Sequence, residues 1–103
     1  MLLFDAPGAA KQIVVEPETL SARLVKKVDA EYPPLAKEAR VTGVVRFRVT
    51  VGVDGAVRRI DLVSGHPLLV LPARRALEQW RYDPILVDGK PVEAVSTVEV
   101  GFD

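Results

Sequence analysis

His66 is the only histidine among 103 residues, and Ser64, Asp54, Asp61 and Asp83 lie close to it along the chain. Serine, histidine and a carboxylate are the parts of a nucleophilic triad, but the base in such a triad must be oriented by a third group. Ser64 and His66 are only two apart, within Ser64-Gly65-His66-Pro67. That composition reads as a cap or turn leading into a helix. A lone imidazole with Asp61 or Asp83 at these spacings matches no known metal-ligand set. Asp54 and Asp61 could be paired carboxylates for acid–base work. However, Asp54 precedes Gly55 in a turn, and Asp61 is flanked by strand residues. The chain has no cysteine, which excludes thiol catalysis, Cys-ligated zinc and a disulfide frame. A non-catalytic protein without metal or cofactor is expected.

The remaining chemistry is that of binding. Trp80 and Tyr82 bracket Arg81 in the manner of a base-stacking platform, but Trp80 falls on a helical apolar stripe and is assigned to the core. Arg46, Arg48, Arg58 and Arg59 belong on paired strands, some on a wet face, where Glu93 and Glu99 would balance them across the sheet. Fourteen Lys and Arg against fourteen Asp and Glu leave no net charge, so nothing favours nucleic acid.

These side chains need a scaffold, and the chain is long enough for one domain that buries about 60–70% of its unfolded surface. Residues 1–12 read as a flexible arm or linker remnant, followed by a domain over 13–103. Met1-Leu2-Leu3-Phe4 is too short for a signal-peptide core or a membrane span. Ile13-Val14-Val15 is a short β-prone run. Leu24 to Val28 reads as an edge strand carrying lysines, with a helix over Thr19 to Val28 left open as an alternative. Tyr32-Pro33-Pro34 ends that region and starts a short helix from Leu35 to Arg40, with Gly43 as its stop.

Val45, Phe47, Val49, Val51 and Val53 alternate with Arg46, Arg48, Thr50 and Gly52 in a strand with one buried face. Asp54-Gly55 turns it into a partner strand over Val57 to Val63, whose uneven parity leaves room for a bulge. Leu69, Ala73, Ala76, Leu77 and Trp80 form a single helical stripe. After the Asp88-Gly89 turn, Val92, Ala94, Ser96, Val98, Val100 and Phe102 share one face of a last strand. The fold expected is α+β: two helices on one face of a three- to four-stranded antiparallel sheet.

The ordered set of signals resembles the C-terminal domain of the TonB energy-transducer family, over roughly residues 24–102. The matching residues are Tyr32-Pro33-Pro34-Leu35-Ala36, Gly43, the hairpin from Val51 to Val57, and Ser64-Gly65-His66-Pro67-Leu68-Leu69. Ala76, Trp80-Arg81-Tyr82 with Pro84, Gly89-Lys90-Pro91-Val92 and Val98, Val100, Phe102 complete it. The resemblance implies a periplasmic, non-catalytic domain of an inner-membrane-anchored protein. It would capture the extended N-terminal segment of an outer-membrane transporter by strand addition and transmit force to it. Contact with an inner-membrane proton-channel complex would be made by parts absent here.

By the same resemblance, the partner-binding residues are Asp29, Ala30, Glu31, Tyr32 and Pro33, with Val95, Ser96, Thr97, Val98, Glu99 and Val100 of the last strand. Enterobacterial members carry Gln-Pro where this chain has Asp29-Ala30, which puts the identity of the partner in question. A free edge could also pair with its own copy, giving a homodimer. The competing reading is a structural or regulatory accessory domain of another envelope protein, such as a sensor or anchored peptidase.

Overall fold

Alternation over Gly43–Val51 makes that segment β3, and its odd-numbered valines and Phe47 are the centre of the molecule. The computed structural model describes residues 11–103. Around β3 the chain runs β1 (Gln12–Val14), α1 (Pro17–Ser21), β2 (Leu24–Lys26) and α2 (Pro34–Glu38). After β3 come β4 (Val57–Ser64), α3 (Pro67–Leu77), β5 (Arg81–Tyr82), β6 (Ile85–Val87) and β7 (Lys90–Phe102).

The α+β class stands, but the sheet is larger than expected and mixed. β7 lies in the middle of the order β1-β7-β3-β4, with β6 also on β7. β3 pairs antiparallel with β7 without interruption from Gly43↔Phe102 to Val51↔Ala94. The Ile13-Val14-Val15 run supplies the extra strand, β1, which pairs with β7 in parallel. Of the expected arm, residues 1–10 lie outside the described residues, and strand structure begins at Gln12.

Leu24–Lys26 is a strand, as the edge reading expected. It forms a separate two-stranded ribbon with β5. The helical alternative survives only as the short α1, whose Leu20 is fully buried.

Helices α2 and α3 form where proline presets the first turn: Pro34 begins one and Pro67 the other. His66 caps α3, its Nδ1 accepting from the Leu68 N–H at 3.1 Å. The cap reading of His66 therefore stands. Leu69, Ala73, Ala76 and Leu77 are buried, and Trp80 follows them into the core with its indole N–H donating to the Val28 carbonyl at 2.9 Å.

Two turn assignments need correction. Gly43 does not stop α2; Arg40 does, in the left-handed region at φ 55°, and Gly43 opens β3. Asp54-Gly55 does not supply two positive φ angles, since only Gly55 is left-handed (83°). The mirror-image turn lies at Asp88-Gly89 (52° and 78°) between β6 and β7. Asp54 instead accepts the Ala56 N–H through Oδ1 (3.1 Å), and that bond holds its carboxyl below the ordinary value of 3.8.

Candidate partner-binding edge

Every second residue of a strand directs its N–H and C=O to the same neighbour. The Glu93 N–H donates to the Lys11 carbonyl at 2.8 Å, and the Val15 N–H donates to the Val95 carbonyl at 2.9 Å. At Glu93 and Val95 the backbone therefore faces β1. Alternation turns the backbone groups of Thr97, Glu99 and Gly101 to the same side. Among the described residues no strand pairs with them there, because the pairing of β1 with β7 ends at Val95. The outer side of β7 thus has two consecutive parts: β1 covers Glu93 to Val95, and Thr97 to Gly101 is open.

A cleft of about 790 Å³ adjoins the open part. Thr97, Val98 and Glu99 form one wall. Leu24, Lys27, Trp80 and Tyr82 are among the residues across from them, along with Pro17, Glu18 and Ser21 of α1. The cleft is mixed in character. Val98, Leu24 and the two aromatics offer apolar surface, while Lys27 sits over the Trp80 ring at 5.7 Å. Burial pushes the Tyr82 hydroxyl up to about 12, so it stays protonated near neutrality.

Arg46 also lines the cleft and forms an ion pair with Glu99, the residue directly across from it in the register. Both are half exposed, so this cross-strand pair is a weak contact. Glu93 accepts from Gln12 instead of balancing an arginine. Arg48 also lines the cleft and has no ion-pair partner among the described residues.

The residues singled out in the sequence fall into two groups. Thr97, Val98 and Glu99 line the cleft. Val95 lies on the same strand but its carbonyl is taken by Val15, while Ser96, Val98 and Val100 direct their backbone to β3. Asp29 to Pro33 run outside regular structure, with Asp29 and Glu31 exposed and Ala30, Tyr32 and Pro33 half-buried. None of the five lines the cleft. Tyr32 nonetheless ties the segment to the far end of β7. Its ring meets Phe102 edge-on at 5.5 Å, and its hydroxyl donates to the Val41 carbonyl.

Sequence reasoning missed Leu24, Lys27, Arg48 and the α1 residues as neighbours of this edge. It also missed Gly101 as one of its open positions. The β propensity of Ile13 to Val15 signalled a strand, but nothing local named the strand it would join.

No three His, Cys, Asp or Glu side chains among the described residues are grouped to hold a metal. No helix among them is long and apolar enough to cross a membrane.

Comparison with known proteins gives a consistent picture. Residues 28–103 match the family model described as Gram-negative bacterial TonB protein C-terminal. The TonB protein of Klebsiella pneumoniae is 29% identical over 91 residues, covering 86% of this chain and 35% of that protein. The Vibrio cholerae TonB is 30% identical over 95 residues, 84% of this chain and 37% of the other. The chain therefore spans only about a third of the curated relatives it matches.

Among solved structures, the TonB C-terminal domain of Pseudomonas aeruginosa superposes with a TM-score of 0.66 at 24% identity. That match covers 79% of this chain and 84% of the other, and it speaks for the fold alone. The TonB2 protein of Vibrio anguillarum matches with a TM-score of 0.59 at 28% identity, over 100% of this chain and 92% of the other. With the ordered motifs, the sheet and its open last strand already established, this chain belongs to the family of TonB protein C-terminal domains.

Proposed function

We propose that this domain is the partner-capturing part of a TonB-type energy transducer in the periplasm of a Gram-negative envelope. It takes up an extended N-terminal segment of an outer-membrane transporter as an added strand along Thr97 to Gly101. One observation carries the reading: three successive outward-facing residues of a long strand lack a backbone partner among the described residues, and two of them, Thr97 and Glu99, line a cleft. Unpaired N–H and C=O groups supply affinity, at about 0.5–1.5 kcal/mol net for each bond made. Alternate side chains of the segment supply specificity, one set entering the cleft beside Val98 and the other lying over Arg48.

The domain's role is mechanical, and no residue is assigned to catalysis. Contact with an inner-membrane proton-channel complex falls to the length of the relatives that this chain does not match. Pairing of two copies along the same edge would compete with capture.

Titration of the isotopically labelled domain with synthetic peptides copying transporter N-terminal segments tests this. Amide shifts centred on Thr97, Glu99 and Gly101 are expected. Shifts confined to α2 and α3, with none from Thr97 to Gly101, would sink it.

A further inference from the structure

The open part of the β7 edge is short because the chain fills the adjoining part itself. β1 lies in the row where an added strand would lie, one strand spacing from β7, and it uses the outward groups of Glu93 and Val95. We infer that β1 is an exchangeable strand: residues 11–15 and the incoming segment compete for the same backbone groups of β7. This inference rests on the strand-addition reading for its ligand, but not for the mobility of β1.

Three observations support it. First, β1 is held lightly. Val14 is 73% exposed and Gln12 is exposed, so only the half-buried Ile13 and Val15 reach the core. Its one side-chain tie, Gln12 Nε2 to Glu93 Oε1 at 2.8 Å, is on the surface.

Second, the strands collide. A segment paired at Thr97 that extends towards Val95 meets Val15 in the same row, because Val15 already occupies the Val95 carbonyl. At about 3.3 Å per residue, Thr97 to Gly101 accommodates only a short strand. Anything longer must replace β1.

Third, replacement leaves the rest of the sheet in place. The β3–β7 ladder is complete on the other side of β7 and needs nothing from β1. The chain thus carries a low-affinity occupant of its own edge, which screens it from stray strands and yields to a longer, better-matched one.

The absence of cysteine allows a clean test. Gln12 and Glu93 are direct partners in the register, so Gln12→Cys with Glu93→Cys can be oxidised to lock β1 and reduced to release it. In the same protein, oxidation should weaken capture of a transporter-derived synthetic peptide longer than the open part by about tenfold or more. Reduction should restore it. Ile13→Pro, which loses an amide directed at β7, should instead strengthen capture. Equal affinity in the oxidised and reduced forms overturns the inference, as does weaker capture by Ile13→Pro.

Hydrogen exchange on the unaltered domain decides the point without a peptide. The Glu93 amide, facing Lys11, should exchange far faster than those of Ala94 and Ser96, which face β3. Equal protection of the three overturns the inference. If no peptide is captured in any form while Glu93 exchanges fast, the strand-addition reading fails and the mobility of β1 stands.

Discussion

Among the described residues, the outer side of β4 and the outer side of β7 beyond Val95 are both unpaired, yet only one is straight. β4 shifts register against β3 twice, between Arg46 and Phe47 and again between Thr50 and Val51. Only Arg59 to Leu62 lie in a regular stretch between the two shifts. That stretch carries the Arg59–Asp61 ion pair, and Arg58 beside it pairs with Asp54. Bulges and charges of this kind keep an edge from pairing with other chains. At its upstream end the edge is also capped, since the Tyr82 N–H donates to the Gly55 carbonyl at 2.9 Å.

β7 has no register shift along its whole pairing with β3, and a cleft lies beside its open part. Hydrophobicity does not separate the two edges, because Leu62 and Val63 are about half exposed on β4. Straightness does. A regular row of outward N–H and C=O groups offers a template for an added strand, and a twice-bulged row does not.

Several substitutions would break or sharpen this contrast. The largest effect is expected at Gly55, which is left-handed and whose added Cβ would lie 1.8 Å from the Tyr82 carbonyl oxygen. Gly55→Ala should lower stability by about 3 kcal/mol in denaturant unfolding, since the cap on β4 must move.

A matched pair of prolines compares the edges directly. By alternation, the N–H groups of Thr97 and Leu62 both face outward, so neither change removes a β3 bond, and each should cost about 1 kcal/mol or less of stability. Thr97→Pro should weaken peptide capture about tenfold, through one lost donor and a ring in the way of the partner. Leu62→Pro should leave capture unchanged. Equal losses would mean that the edges are not distinct.

Replacing Arg59 and Asp61 together by valine removes the charges guarding β4. Sedimentation should then show association that rises with concentration and exceeds that of the parent. An unchanged profile would assign the protection to the bulges alone.

The two smallest effects depend on pH and have opposite signs. Tyr82, beside the cleft, is raised from 10.0 to about 12 by burial. Its protonated form is favoured on folding, so its contribution is complete below pH 10 and is lost as pH rises towards 12. Tyr82→Phe should flatten that alkaline loss in melting curves. Asp54, at the β4 turn, is lowered below 3.8 by the Ala56 N–H. Its contribution is present above the unfolded value and is lost as pH falls through the folded one. Asp54→Asn should therefore differ from the parent at neutral pH and converge with it in strong acid.

Much of this architecture was legible in the chain, because local signals there agree with the final packing. Alternation from Val45 to Val53 and from Val92 to Phe102 defined the two long strands and their buried faces. Pro34 and Pro67 marked helix starts, His66 a cap, and the stripe from Leu69 to Trp80 a core face. The lack of cysteine and of a second histidine also read directly.

The turns were harder. Asp54-Gly55 and Asp88-Gly89 are the same dipeptide but fold differently, because the number of residues the strands leave between them selects the turn. Only the tertiary structure decided which edge is open. The places of β1 and β6 beside β7 depend on contacts between residues about 80 apart for β1 and on a short hairpin for β6. A strand's periodicity reports which face is buried and nothing about who lies to its side. The chain by itself thus determined a sheet with one wet face and two helices against the other. Long-range pairing alone divided the outer side of the last strand into a self-occupied and a free part.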